Sequence, residues 1–230
     1  RTHTTNAQSK LLHHLVLLAM NKTGYLNLMH LASIAQLEGF YYKPRLDMEV
    51  IEKYNEGLIA LSACLAGAVA RCLKNGDETK ALIEAKKLRD VFGDRLYLEL
   101  QENGIPIQTT VNKGLVKISK ETGIPLVATN DCHYLTRDQS YAHEVLLCVQ
   151  TGRTIDDPNR FHFDSDQLYF KSPQEMKECF AWCPEAIANT VKVAARCNLE
   201  LEFGEHHFPL FPVPEGESLD SCFEKTARAG

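Results

Sequence analysis

Asp131 and His133, with one residue between them, stand just beyond the apolar run Ile124-Pro125-Leu126-Val127-Ala128. That run reads as a short buried strand. Side chains two apart on an extended segment face the same way, so a carboxylate and an imidazole project together from its C-terminal tip. Chains that alternate strands and helices carry their chemistry at such tips. The competing reading makes Asp131 a turn former or helix cap and His133 a satisfied surface histidine. Cys64 follows the tip of a second apolar run, and Glu99 lies late in a third, on its polar face. Cysteine, histidine and carboxylate converging on one mouth bind Zn²⁺ or a neighbouring transition metal. Cys64 equally reads as a small buried thiol. His14 is the awkward member. It precedes its apolar run, so it belongs at the opposite end of a parallel sheet unless the first strand runs antiparallel.

The elements that would position these groups follow from periodicity. Strands are predicted near 15–19, 58–62, 96–101 and 125–129. The third alternates, with Leu96, Leu98 and Leu100 on one face and Tyr97, Glu99 and Gln101 on the other. Helices are predicted between them. One is capped by Thr23 and carries Tyr25, Leu28, Met29, Ala32 and Ala35; a short one is capped by Asp47; an Ala-rich one runs from about Leu65 to Leu73; a longer one covers 77–92. Pro106 opens the next, with Ile107, Val111, Leu115 and Ile118 inward, and it closes at Thr122-Gly123. Lys113, Lys117 and Lys120 on its other side read as a solvated face. Later helices cover Arg137 to Gln150, with Ala142, Val145, Leu146 and Val149 apolar, then a Ser172 capping box, then a Pro184 start with Ile187, Val191 and Ala194. Residues 1–10 read as a polar loop and 208–214 as a proline-rich linker. Alternating strands and helices argue for an α/β fold, either a parallel sheet or part of a (β/α) barrel.

Bulk properties narrow the class. The 230 residues suit one domain plus a piece of a second, and a formal charge of −5 excludes a generic nucleic-acid binder. The eight cysteines contain no C-x-x-C pair and read as reduced thiols of a cytoplasmic protein. The longest apolar run, Leu15 to Met20, is far short of a membrane span, and His13 and His14 break any leader-like pattern. The chain starts at Arg1 and stops at Gly230 inside a helix predicted from about Leu219, so it reads as an internal fragment.

Several stretches together carry a family likeness. They are His14-Leu15-Val16-Leu17-Leu18-Ala19, Thr23-Gly24-Tyr25-Leu26-Asn27-Leu28, Gly57-Leu58-Ile59-Ala60-Leu61-Ser62-Ala63-Cys64, Val127-Ala128-Thr129-Asn130-Asp131-Cys132-His133-Tyr134 and Ala142-His143-Glu144-Val145-Leu146-Leu147. The stretch from Asn189-Thr190-Val191 through Arg196-Cys197-Asn198 joins them. In order and spacing the chain resembles the bacterial replicative DNA polymerase III alpha-subunit family, the C-family polymerases. The likeness runs from about residue 10 to the end.

The resemblance implies a polymerase-and-histidinol-phosphatase (PHP) domain over 1–204, with a linker and the start of a polymerase module over 205–230. The implied fold is a distorted (β/α)₇ barrel, incomplete at its N-terminus, whose strands need not all run parallel. His14, Cys64, Asp131 and His133 match metal-ligand positions, and Glu99 matches a further acidic one. The implied cofactor is a divalent metal, zinc foremost and manganese or magnesium as alternatives, with Mg²⁺ at a polymerase site outside this sequence. Implied partners are DNA through the full-length protein, a sliding clamp, a clamp loader and a proofreading exonuclease subunit, in the cytoplasm and without a membrane. One departure is large. The family's His-x-His motif, Asp-His pair and a further Glu lie upstream, and the polymerase carboxylates downstream, so this sequence alone should neither polymerise DNA nor complete a metal cluster. Three readings follow: a metal-dependent 3′→5′ exonuclease beside a polymerase, a non-catalytic scaffold that docks the proofreading subunit, and a stand-alone phosphoesterase.

Overall fold

The structure is a computed structural model that describes residues 12–206 and 208–230; the loop expected over residues 1–10 lies outside them. The chain forms two compact units, Arg1–Leu199 and Glu200–Gly230. In the first, β1 (Val16–Ala19), β2 (Leu58–Leu61), β3 (Leu96–Gln101) and β4 (Leu126–Thr129) form one four-stranded sheet in that order. All four fall where the apolar runs place them. β2, β3 and β4 are parallel, but β1 pairs antiparallel with β2, Val16 opposite Leu61 and Ala19 opposite Leu58. The sheet is therefore mixed, and the first strand takes the antiparallel alternative that the position of His14 leaves open. Apolar periodicity says which residues are buried and carries no information on strand direction. The described residues form this open α/β sheet, with β1 and β4 at its edges, rather than a closed seven-stranded barrel.

Side-chain alternation divides the interior. Leu58, Ala60, Leu96, Leu98, Leu100, Leu126 and Ala128 face the larger core. There they meet Leu31 of α1 (Lys22–Leu37), Val50 and Ile51 of α2 (Met48–Lys53), Val69 of α3 (Ala68–Lys74), Phe92 of α4 (Glu78–Phe92) and Leu115 of α5 (Pro106–Thr122). Ile59, Leu61, Tyr97 and Val127 face the other way, against Val193 of α8 (Pro184–Arg196). Both faces of β3 are thus covered, and all six of its residues are buried. Its polar residues lie on the second face, at the end where β2, β3 and β4 finish.

Local chemistry sets the helix ends. Asp47 caps α2 and Asp77 caps α4, each accepting a bond from the third backbone N–H beyond it. Asn21, not Thr23, caps α1, its Oδ1 accepting from Gly24 N at 3.0 Å. α3 begins at Ala68, later than expected, because residues 62–67 make a tight loop in which Gly67 N donates to Cys64 O at 2.8 Å. Ser172 and Glu175 form the expected reciprocal cap of α7 (Pro173–Cys179). α6 (Ser140–Thr151) follows a 3₁₀ turn at Arg137–Gln139 and buries only Cys148; its expected apolar stripe, including Leu146 and Val149, is exposed. On α8 the buried residues are Ala186, Asn189 and Val193, with Val191 outward. Asn189 turns inward because its Nδ2 donates to Leu126 O of β4 at 2.7 Å. In the second unit, Ser218 caps α9 (Leu219–Ala229). No described helix is long and apolar enough to cross a membrane.

α1 seats on the sheet through a glycine-to-glycine approach. A Cβ on Gly24 would lie 1.9 Å from Gly57 O. Alanine normally favours a helix over glycine by about 1 kcal/mol. Here Gly24→Ala should instead destabilise by more than ~2 kcal/mol, read from urea denaturation, since backbone has no rotamer to give way. A neutral or stabilising result would contradict the close approach.

Candidate metal centre

The antiparallel pairing of β1 resolves the difficulty over His14. Because β1 enters the sheet at the edge where β2, β3 and β4 end, the residue before it lies with the residues after them. Beyond the register's end at Val16 opposite Leu61, His14 forms an isolated parallel bridge with Gly67 in the loop after β2. His14 N donates to Ala66 O at 3.2 Å, and its Nδ1 lies 3.6 Å from Cys64 Sγ. Cys64 is half-buried and turned toward an imidazole, so it is not merely a core thiol. Burial raises its pKa, and the charges of Asp131 and Glu99 push the same way. The thiol is therefore harder to deprotonate than an ordinary cysteine.

β4 delivers the second pair. Asp131, at φ 45, turns its backbone into the left-handed region just past the strand, and its Oδ1 lies 3.5 Å from His133 Nε2. The loop is braced from the other side: His133 N donates to Leu168 O at 2.8 Å, and Lys171 Nζ reaches Asn130 Oδ1 at 3.3 Å. The His133 ring lies against two rings that the sequence reading did not single out, His143 of α6 and Phe163.

The Asp131 charge raises the Glu99 pKa, and the Glu99 charge raises that of Cys64. It is buried, and its Oε1 accepts from Thr129 Oγ1 and from Gln101 Nε2. Its backbone N–H donates to Ser62 Oγ at 2.8 Å. The second carboxyl oxygen, Oε2, is buried without a well-formed hydrogen bond among the described residues, although the Ala63 backbone N–H also favours the charged carboxyl. A buried acceptor left open is costly and calls for a donor, a proton, water or a cation. Gln101 and Thr129 were missed as supports of Glu99, although Gln101 stands two positions along the same strand face.

Of the five expected residues, the structure brings His14 to Cys64 and Asp131 to His133, and leaves Glu99 with an open oxygen. Soft thiol, imidazoles and carboxylates are donors that suit zinc. Among the described residues, though, no group of three His, Cys, Asp or Glu side chains is assembled around one point. The donor chemistry fits a metal as two half-sites, not as a finished cage. The eight cysteines form no disulfide.

Comparison with known proteins now bears on this arrangement. The PHP-domain family model matches residues 4–103. The chain is 43% identical over 206 residues, 89% of its length, to the DNA polymerase III subunit alpha of Borreliella burgdorferi. It is 42% identical over 213 residues, again 89% of its length, to that of Thermus aquaticus. Over most of its own length the chain is thus similar to bacterial DNA polymerase III alpha subunits. Against the alpha subunit of Aquifex aeolicus the identity is 39% and the whole chain aligns. It spans only about a fifth of these relatives, 18%, 17% and 21% of their lengths. The PHP match takes in His14, Cys64 and Glu99.

Burial is the largest cause raising the Glu99 pKa. A carboxyl raised in the folded state contributes stability that is complete in acid and is lost as pH rises through the folded value. Glu99→Gln stays neutral throughout. In metal-free protein its stability relative to the parent should therefore improve between about pH 4 and about pH 7, by urea denaturation. An unchanged difference across that range would contradict a buried, strained carboxylate.

Proposed function

We propose that this sequence is PHP-domain material from the alpha subunit of a bacterial replicative DNA polymerase, and that His14, Cys64, Asp131 and His133 hold a divalent metal. The observation that carries the site is the His14–Cys64 approach of 3.6 Å, made between the residues that flank the antiparallel β1–β2 pairing. In this reading the four strands are a section of a distorted (β/α)₇ barrel. Its remaining donors come from chain beyond these residues, with Glu99 as a further acid. Zinc fits the thiol best; manganese and magnesium are the alternatives.

The proposed activity of the whole protein is DNA-directed DNA synthesis, using Mg²⁺ at a separate site, with metal-dependent 3′→5′ exonuclease or phosphoesterase chemistry at the PHP site. A divalent metal bound there supplies positive charge to a scissile phosphate and acidifies water. Asp131 and His133 orient one side of the site. Cys64 would hold the metal as its thiolate, the thiol proton leaving to solvent, with His14 Nδ1 3.6 Å away as the neighbouring donor. Glu99, held by Thr129 and Gln101, keeps an oxygen in reserve behind them. The proposed setting is the cytoplasm, with DNA, a sliding clamp, a clamp loader and a proofreading subunit as partners.

The separation of the donors into two pairs favours a second reading. In it the domain is a scaffold that stabilises the polymerase and docks the proofreading subunit, without nuclease chemistry. One substitution divides the two. In the intact parent protein, Asp131→Asn should remove bound metal, by elemental analysis, and abolish nuclease activity while polymerisation continues. Nuclease activity that survives the substitution refutes the nuclease role, and unaltered metal content refutes the ligand.

A further inference from the structure

A histidine that ligates a metal is usually held by a hydrogen bond from its other ring nitrogen to a carboxylate, carbonyl or water. Among the described residues the polar contact of the His133 ring is Asp131, through Nε2. Its orientation is set instead by rings. His143 meets it edge to face, with centroids 5.3 Å apart and planes at 78°. Phe163 meets it at 4.9 Å and 64°. His143 and Phe163 in turn stack on each other, at 5.9 Å and 30°. Perpendicular contacts of this kind match a positive ring edge to a negative face and resist rotation of either ring.

Both supporting rings are themselves anchored. His143 projects from α6, whose entry is fixed by the reciprocal cap of Thr136 and Gln139, and it also lies against Tyr134, at 5.4 Å. Phe163 comes from the irregular stretch after α6. Arg160 ties that stretch to the helix at Glu144, the neighbour of His143, with Nη2 to Oε1 at 2.6 Å. Ser165 Oγ donates to Asn103 O beyond β3, and Phe161 packs edge-on against Phe163 at 5.2 Å. An ion pair, a hydrogen bond and a cap thus serve to press two rings against one imidazole.

We infer that His143 is a positioning residue that, with Phe163, locks the His133 imidazole in its ligating orientation through ring packing, and that its own nitrogens take no part. This rests on the metal reading of His133. The test uses the intact protein, stripped of metal and titrated with zinc chloride against a chelating dye. Melting of the metal-free protein is followed in parallel. His143→Ala should weaken zinc binding about tenfold, and His143→Phe, which keeps the ring and loses the nitrogens, should restore it to within about threefold of the parent. The metal-free melting temperatures of the two variants should agree. Phe163→Leu, on a different segment, should weaken zinc binding to a similar degree and decides the matter if His143→Ala does not fold. Parent-like binding by His143→Ala or, should it not fold, by Phe163→Leu overturns the inference alone. Equal weakness of the Phe and Ala variants overturns it too, since a nitrogen would then be at work. A parent that takes up no zinc, with Asp131→Asn indistinguishable from it, overturns both this inference and the metal reading.

Discussion

The antiparallel seating of β1 on β2 is the constraint on which the rest of the arrangement depends. Were β1 parallel to its neighbours, His14 would lie at the far edge of the sheet, a strand length away from Cys64. Reversal brings the start of β1 to the edge where the other three strands finish. Side-chain alternation then decides the face. His14 shares parity with Leu18 and Met20, which pack with Ile59, Leu61 and Tyr97 on the second face. Glu99, Gln101 and Thr129 continue that face along β3 and β4. One strand direction and one period of two therefore gather imidazole and carboxyl groups at a single rim; Cys64, of opposite parity on β2, joins them through the loop that follows Ala63, at φ 62.

That rim is built against the hydrophobic preference of the sheet. β3 is buried on both faces, yet carries a carboxyl and an amide in its second half. Burying them is tolerable because Glu99, Gln101, Thr129 and Ser62 bond to one another. The network is not closed: Glu99 Oε2 and Gln101 Oε1 both lack a well-formed hydrogen bond among the described residues. A polar network left open in a well-packed core is a feature of working sites more often than of structural ones. Stability is given up at the strand ends, and the large apolar core behind β2, β3 and β4 supplies it.

Much of this was legible in the residues. The apolar runs located all four strands, and Asp47, Pro106, Gly123 and Ser172 marked helix ends correctly because capping is local chemistry. Strand direction was not legible, since an apolar run reads the same both ways. Thr23 was mistaken for a cap because Asn21, two residues earlier, offers the same kind of acceptor. On α8 a polar residue, Asn189, takes an inward position that a hydrophobic stripe assigns to Val191, and only β4's carbonyl explains it. The candidate residues could be picked out one by one: Cys64, Asp131 and His133 past strand tips, Glu99 late in a strand and His14 before one. Their pairing could not, and neither could the ring support from His143 and Phe163. Those contacts join segments whose spatial neighbours no local pattern specifies.

X-ray absorption at the zinc edge of the zinc-loaded intact protein tests most directly whether these four residues share a cation. The account predicts a first shell containing one sulfur at about 2.3 Å beside nitrogen and oxygen at about 2.0–2.1 Å, with the sulfur lost in Cys64→Ser. A shell of nitrogen and oxygen alone, unaltered by Cys64→Ser, would place the metal elsewhere and contradict it.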